Sequence, residues 1–281
     1  MIATQQIAEL RRILNDVRAG GGRIALVPTM GYLHEGHLSL CDVGRQHADF
    51  LVMSVFVNPL QFGAGEDLDR YPRDLTRDAG LAAGRGVNLI FAPDVPEMYP
   101  DGPSGVRISA PAMSDRLCGR FRPGHFEGVL TVVAKLFNIV MPDVAVFGQK
   151  DLQQAALVRR MVADLDFPVR IRVAPLIREP DGLAMSSRNV FLSEAERAAA
   201  LSLNLSLQAA QALFGMGESE PAALRAAAQA ILDGQPGVLV EYLELVDPGT
   251  LQTPVRADRG HALAVAARVG GTRLIDNHLL D

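Results

Sequence analysis

Apolar residues recur at Ile7, Leu10, Leu14 and Val17, at intervals of three and four, so the chain opens with an amphipathic helix that Ala19-Gly20-Gly21-Gly22 ends. The period then changes. Ile24-Ala25-Leu26-Val27 is a short unbroken apolar run and reads as a buried strand. Phe50 to Val57 is nearly all apolar and β-favouring, as expected of a strand covered on both faces of a parallel sheet. Val87 to Ala92, Val144 to Phe147 and Val169 to Ala174 supply three more strands. Helical spacing separates them. Leu40, Val43 and Gly44 follow the first strand, a helix runs to about Arg85, and another spans Val129 to Met141. Ala155, Val158, Val162 and Leu165 form the buried stripe of a further helix. Strands alternating with helices predict an α/β fold, a doubly wound parallel sheet with right-handed crossovers.

After Pro175 the order of elements differs. Ser193 with Glu196 three residues on predicts a capping box, and the helix it starts runs to about Phe214. Gly215 to Glu220 reads as a linker, and Pro221 fits the first turn of the next helix. Val238 to Val246 and Ala262 to Arg268 read as strands, and Gly270-Gly271 turns the second back into Thr272 to Asp276. The pattern predicts one domain over residues 1–176 and a smaller α+β domain over 177–281. Asp94 to Gly105, rich in Pro, Gly and Asp, is expected to be a loop.

Composition narrows the function classes. The 281 residues are 48% hydrophobic and 21% charged, ordinary for a globular protein, and the net charge of -5 argues against a nucleic-acid partner held by bulk electrostatics. Cys41 and Cys118 lack metal-site spacing and read as reduced thiols. The first residues lack a signal-peptide core, and no run reaches the ~18 apolar residues of a membrane span. A cytoplasmic protein without a membrane partner is expected.

Four polar segments fall at predicted strand ends or just before predicted helices. Pro28-Thr29-Met30-Gly31-Tyr32-Leu33-His34-Glu35-Gly36-His37 places two histidines at a helix N-terminus, whose free N–H groups and dipole suit a phosphate. Gly31 and Gly36 permit a positive φ or close approach to a ligand. Two surface histidines on an ordinary turn are the competing reading. Asn58-Pro59-Leu60-Gln61-Phe62-Gly63 offers amides beyond a strand end, or merely turn chemistry. Gly148-Gln149-Lys150-Asp151-Leu152-Gln153-Gln154 starts a helix with a lysine, a natural phosphate partner. Arg120 to Gly128 is a basic, glycine-punctuated stretch able to hold an anion, or a solvated loop. In the smaller domain, Met185-Ser186-Ser187-Arg188 adds two hydroxyls and a guanidinium that can offset the charge of a leaving pyrophosphate. The convergence of the histidine turn, Asn58 to Gln61 and Gly148 to Gln154 on the carboxyl edge of one sheet outweighs any single motif.

His34-Glu35-Gly36-His37 resembles the His-x-Gly-His signature of the nucleotidylyltransferase superfamily. Together with Phe56 to Gly63, His125 to Val133, Phe147 to Asp151 and Gly182 to Asn189, it makes the chain similar along its length to the pantothenate synthetase (pantoate–β-alanine ligase) family. The resemblance implies a Rossmann-like fold and ATP-dependent condensation of (R)-pantoate with β-alanine through a pantoyl adenylate, with release of pyrophosphate and AMP. It implies that Met30, Gly31, Tyr32, Leu33, His34, Glu35, Gly36 and His37 cradle ATP, with His34 and His37 on its phosphates and His37 as the acid. Gly148, Gln149, Lys150 and Asp151 would contact the nucleotide, with Lys150 on phosphate. Ile177, Met185, Ser186, Ser187 and Arg188 would complete the ATP site from the smaller, lid-like domain, closing onto bound ATP. Gln61 and Gln154 would hold pantoate, and Gln61 would also border β-alanine. Asn58, Tyr71, Arg122 and His125 would support the cavity. A homodimer is implied as well. No metal ligand is assigned, because Asp74 and Asp78 are spread apart beside Arg77; Mg²⁺ is expected mainly on ATP phosphates and water. The rival readings are another small-molecule nucleotidylyltransferase and a non-catalytic nucleotide sensor.

Overall fold

The computed structural model describes residues 1–281 except Ala64, Pro103 and Ser104, so two positions of the expected 94–105 loop lie outside the described residues. The chain runs β1 (Ile2–Thr4), α1 (Ile7–Ala19), β2 (Ile24–Thr29), α2 (Glu35–Arg45), β3 (Phe50–Val55), α3 (Leu75–Gly84) and β4 (Leu89–Phe91). Three one-turn helices follow: α4 (Val95–Met98), α5 (Pro111–Ser114) and α6 (Cys118–Phe121). Then come α7 (His125–Val140), β5 (Val144–Gly148), α8 (Leu152–Asp164) and β6 (Arg170–Ala174). Six strands pair in the order β1-β4-β3-β2-β5-β6, and every pairing is parallel.

The register explains where a ligand can sit. β2 pairs along its whole length with β3, from Ile24 opposite Phe50 to Thr29 opposite Val55, and on its other side with β5. The chain therefore leaves β2 in one direction and returns beyond it on the other side. A crevice opens between the carboxyl ends of β2 and β5, the switch point of a doubly wound sheet. Ile24, Ala25, Leu26 and Val27 are all 0% exposed, as the unbroken apolar run requires. α1 buries Leu10 and Leu14 against the same core that holds most of α7.

The remainder carries α9 (Glu194–Gly215), α10 (Pro221–Asp233) and an antiparallel sheet of β7 (Val238–Val246), β8 (Ala262–Val269) and β9 (Thr272–Leu279). The capping box at Ser193 is present, with Glu196 N donating to Ser193 Oγ and Ser193 N to the Glu196 carboxylate. Leu203, Leu207, Leu224, Leu263 and Val265 form a second core. β8 contributes to both: Ala262 and Ala264 join the first core, Leu263 and Val265 the second.

Several boundaries differ from the sequence reading. β1 is an element that the apolar pattern does not reveal; its three residues gain strand geometry by pairing with β4 at the sheet edge. β3 ends at Val55, not Val57. Residues 95–98 of the expected loop form α4, capped by Asp94. α7 starts at His125, four residues early, because Gly124 takes a left-handed φ of 78° that starts the helix there; His125 to Gly128 are its first turn and not loop.

Gly128 matters for a different reason. A Cβ there would lie 2.2 Å from the Leu60 carbonyl oxygen and 2.7 Å from Gln61 N, so α7 touches the 59–61 turn backbone to backbone. Gly128→Ala should force the two apart, lowering stability by about 1–3 kcal/mol and displacing Gln61. The check is a lower urea midpoint at unchanged m-value; a midpoint equal to that of the parent chain would show that the turn yields freely.

Candidate active site

The turn leaving β2 is held in a rarely populated conformation by a carboxylate from elsewhere. Gly31 and Tyr32 have φ of 82° and 50°. Asp78, 1% exposed at the start of α3, accepts Tyr32 N at 2.7 Å on one oxygen and Leu33 N at 2.8 Å on the other. A Cβ on Gly31 would stand 3.0 Å from that carboxylate, so the position suits glycine for space as well as φ. Burial pushes the Asp78 carboxyl up, against the two N–H groups and Arg77 that hold it down. Asp74 caps α3 through Arg77 N at 2.9 Å. Both acids are thus occupied within the fold.

The turn delivers His34 and His37 to the first turn of α2, with ring centroids 4.1 Å apart. His34 N lies 3.4 Å from His37 Nδ1, which accepts from it, and this places the His37 proton on Nε2. His34 Nδ1 is buried without a partner. Burial, and then the Lys150 cation, push His34 down to about 4; burial, His34 and Lys150 push His37 well below its ordinary value. At neutral pH both are uncharged donors. A Cβ on Gly36 would lie 3.0 Å from the His34 ring and 3.6 Å from Met185 Cβ, so glycine lets the 185–188 segment approach α2 closely.

The 59–61 turn beyond β3 serves the site through Gln61. Gln61 Nε2 donates to Met30 Sδ at 2.9 Å, and its backbone carbonyl accepts His125 Nδ1 at 2.7 Å and Arg122 Nη2 at 3.2 Å. Arg122 is paired with Glu66, and its Nη1 lies 2.9 Å from His125 Nε2. Burial and then the Arg122 charge lower His125 to about 4, leaving it neutral. Asn58 does not reach the cavity as the resemblance implied. It is 1% exposed, donates to Gln61 Oε1 and to the Gly128 carbonyl, and accepts from Tyr99 Oη and Leu60 N. It braces Gln61 from behind.

Beyond β5, a 3-10 turn over Gln149–Asp151 sets Lys150 and Asp151 facing the crevice. Gln154 lies one turn on along α8 and lines the same crevice. The Met185–Arg188 segment closes the opposite wall. Ser186 Oγ accepts Arg188 N, Ser187 Oγ lies 3.1 Å from Tyr71 Oη, and Arg188 makes a bidentate pair with Asp67, both bonds 2.8 Å. The segment expected to close on a ligand is therefore already tied to the first sheet's loops.

These walls enclose about 210 Å³, with Met30, His34, Gly36, His37, Gln61 and Gln154 among the lining residues. A neighbouring cavity of about 410 Å³ is bounded by Cys118, Tyr242 and Arg273, and shares Lys150, Asp151 and Gln154 with the first. Tyr71, Gly148, Ile177 and Met185 also line the smaller one. Gly31, Tyr32, Leu33 and Glu35 do not: Leu33 is wholly buried, Glu35 pairs with Arg85, and the other two shape the turn. Gln149 turns away to donate to Asn277 Oδ1. Sequence reasoning missed Asp78, Asp67, Glu66 and Asn277. Only Glu66-Asp67, an acidic pair shortly before Arg70 and Arg73, carried a local sign of charge pairing.

Comparison with known proteins shows the family. The family model described as pantoate-beta-alanine ligase matches residues 2–279. A pantothenate synthetase of Thermoanaerobacter sp. (strain X514) is 50% identical over 279 residues, 99% of this chain and 98% of its own. Pantothenate synthetase 1 of Bradyrhizobium diazoefficiens is 52% identical, covering 98% and 96%. Among solved structures, pantothenate synthetase from Thermus thermophilus superposes with a TM-score of 0.94 at 46% identity, over 100% of this chain and 99% of that one. Pantoate-beta-alanine ligase from Francisella tularensis, complexed with Beta-gamma ATP and beta-alanine, gives 0.81 at 31% identity, over 99% and 97%. The family-wide match over nearly every residue, on a sheet whose switch point holds the histidine turn, places the chain in the pantoate–β-alanine ligase family.

Proposed function

We propose that the chain forms pantothenate from pantoate, β-alanine and ATP by two displacements in one crevice. In the first, a pantoate carboxylate oxygen bonds to the α-phosphorus, the bond to the bridging oxygen breaks, and pyrophosphate leaves with the electron pair. In the second, the β-alanine amine attacks the acyl carbon, the bond to the AMP oxygen breaks, and the amine proton passes to solvent. One observation carries this reading: a neutral histidine pair, the Lys150 cation, the Ser186 and Ser187 hydroxyls and two amides line one cavity.

Each group then has a chemical task. His34 and His37 donate N–H to phosphate oxygens, and Lys150, Ser186, Ser187 and Arg188 offset charge that grows on pyrophosphate. The acid role that the resemblance gives His37 needs an imidazolium, which the charge of bound phosphates favours. Gln61 and Gln154 orient pantoate, and Gln61 borders the amine. Gly148, Asp151, Ile177 and Met185 shape the nucleotide's bed. The ties from Tyr71 to Ser187 and from Asp67 to Arg188 hold the outer wall in place and keep water from the adenylate. Among the described residues no group of three or more His, Cys, Asp or Glu side chains could hold a metal ion. Mg²⁺ is proposed to enter as part of the MgATP substrate, on phosphates and water, as this ion usually does. A homodimer in the cytoplasm is part of the same proposal, resting on the family resemblance; among the described residues no helix is long and apolar enough to cross a membrane.

The direct test is AMP release from ATP and Mg²⁺ with pantoate, with and without β-alanine. Sustained release that needs both acids is the expected result; pantoate-independent ATP cleavage, or none, would overturn the reading. A stable adenylylated product in place of AMP would point to a different nucleotidyl transfer. Lys150→Ala and His37→Ala should each slow adenylation roughly 10²–10³-fold, and near-normal turnover in either variant removes that residue from the machinery.

The neutral histidines also set a pH dependence of stability. His34 and His125 titrate near 4 when folded, below the unfolded value of 6.5. Between those values the unfolded chain binds more protons, so their contribution is complete above about pH 6.5 and is lost as pH falls toward 4. The loss amounts to at most roughly 3 kcal/mol for each. Urea midpoints measured from pH 7.5 to 4 should drop across that window, and His34→Gln and His125→Gln should each flatten the profile. A slope that neither substitution changes would assign the acid sensitivity elsewhere.

A further inference from the structure

Asp276 and Asn277, neighbours on β9, are 4% and 2% exposed in spite of their polar side chains, so their hydrogen bonds report what they are for. Asn277 Nδ2 donates to the backbone carbonyls of Gln149 and Lys150, both at 3.0 Å, and its Oδ1 accepts Gln149 Nε2 at 3.2 Å. Carbonyl oxygens only accept, so the amide can face the turn in one orientation alone, and Gln149 locks it from the other end. Asp276 forms a bidentate pair with Arg178 at 2.7 and 3.0 Å, and Arg178 Nη1 also donates to the Gly182 carbonyl. Arg178 bridges to Ala184, and Met185 N donates to the Ile177 carbonyl, so this pair fixes the hairpin that leads into Met185–Arg188. Successive side chains leave a strand in opposite directions. Two adjacent residues thereby grip the two segments that face each other across the crevice.

We propose that Asn277 is a positioning residue for the first displacement: it holds the 149–150 backbone so that Lys150 meets the polyphosphate, while Asp276 sets the facing hairpin. The inference rests on the function proposed above. Lys150 sits on a three-residue 3-10 turn, and its reach into the crevice follows the orientation of that turn. Two of the turn's carbonyls are spent on one side chain 127 and 128 positions away. The Gln149 side chain thus acts through Asn277.

The test is a double-mutant cycle between Asn277→Ala and Lys150→Ala, read as pantoate-dependent pyrophosphate release, with urea midpoints alongside. In the parent background Asn277→Ala should slow adenylation by up to about 10²-fold, the cost of a misplacement near 1 Å, with the β-alanine KM unchanged. In the Lys150→Ala background it should cost less than about twofold, because its effect passes through Lys150. Gln149→Met, which removes only the lock on the amide, should slow adenylation in the same direction and lose its effect in the same background, and it carries the test should Asn277→Ala fail to fold. Equal losses in both backgrounds, or no loss in the parent, would overturn the inference. A parent chain that releases no pyrophosphate with pantoate would instead overturn the function reading. The cycle would then be read as equilibrium affinity for β,γ-methylene ATP, where Asn277→Ala should weaken binding only when Lys150 is present; equal weakening with and without it, or none, refutes the positioning role.

Discussion

The parallel pairing of β2 with β3 on one side and β5 on the other is the constraint from which the rest of the structure follows. Crossovers from a central strand to neighbours on opposite sides pass over opposite faces of the sheet, so nothing covers the carboxyl end between them. Every group able to meet a phosphate is placed there by its distance from that reversal. The histidine turn starts where β2 stops, the Lys150 turn where β5 stops, and the Gln61 turn shortly after β3. The separation of these segments in sequence is the length of the crossovers and has no chemical meaning of its own.

Charge around the crevice is arranged so that two of its cations are held by acidic partners and one is not. Arg122 is paired with Glu66 and Arg188 with Asp67. Among the described residues lining the smaller cavity, Lys150 is the cation with no acidic partner. Paired arginines in partly buried sites contribute geometry more than net attraction, since the pairing offsets the cost of removing each charge from water. They hold the Gln61 carbonyl and the hairpin in register, while Lys150 and the uncharged imidazoles face the anion. Keeping both imidazoles neutral avoids crowding three positive charges into one small volume before a ligand arrives.

Much of this was legible in the sequence because the informative residues are local. An unbroken apolar run followed by glycines and histidines identifies a strand end and its cargo within a dozen positions, and Ser193 with Glu196 announces a helix start without help from the fold. What stayed hidden acts at a distance. Asp78 reaches Tyr32 and Leu33 across 46 and 45 positions, and Asn277 reaches Gln149 across 128. Each looks from the sequence like an ordinary polar residue of a helix or an edge strand. Asn58 and Gln61 show the limit within one motif: three positions apart on one turn, only Gln61 lines the cavity, and the choice is made by α7 approaching the turn at Gly128. The start of α7 escapes the apolar pattern for the same reason, since a left-handed glycine and a backbone contact decide it.

β8 lies between two cores, with Ala262 and Ala264 in one and Leu263 and Val265 in the other. It also comes later in the chain than every strand of the parallel sheet. A nascent chain that has emerged only as far as β6 has its parallel sheet but lacks the strand that covers one flank of it, and α9 and α10 appear before the sheet on which they pack. Both cores are sealed by the same late strand. During vectorial synthesis the flank of the parallel sheet that β8 covers therefore stays open until the β8–β9 hairpin arrives, and until then that apolar surface is exposed to aggregation and proteolysis.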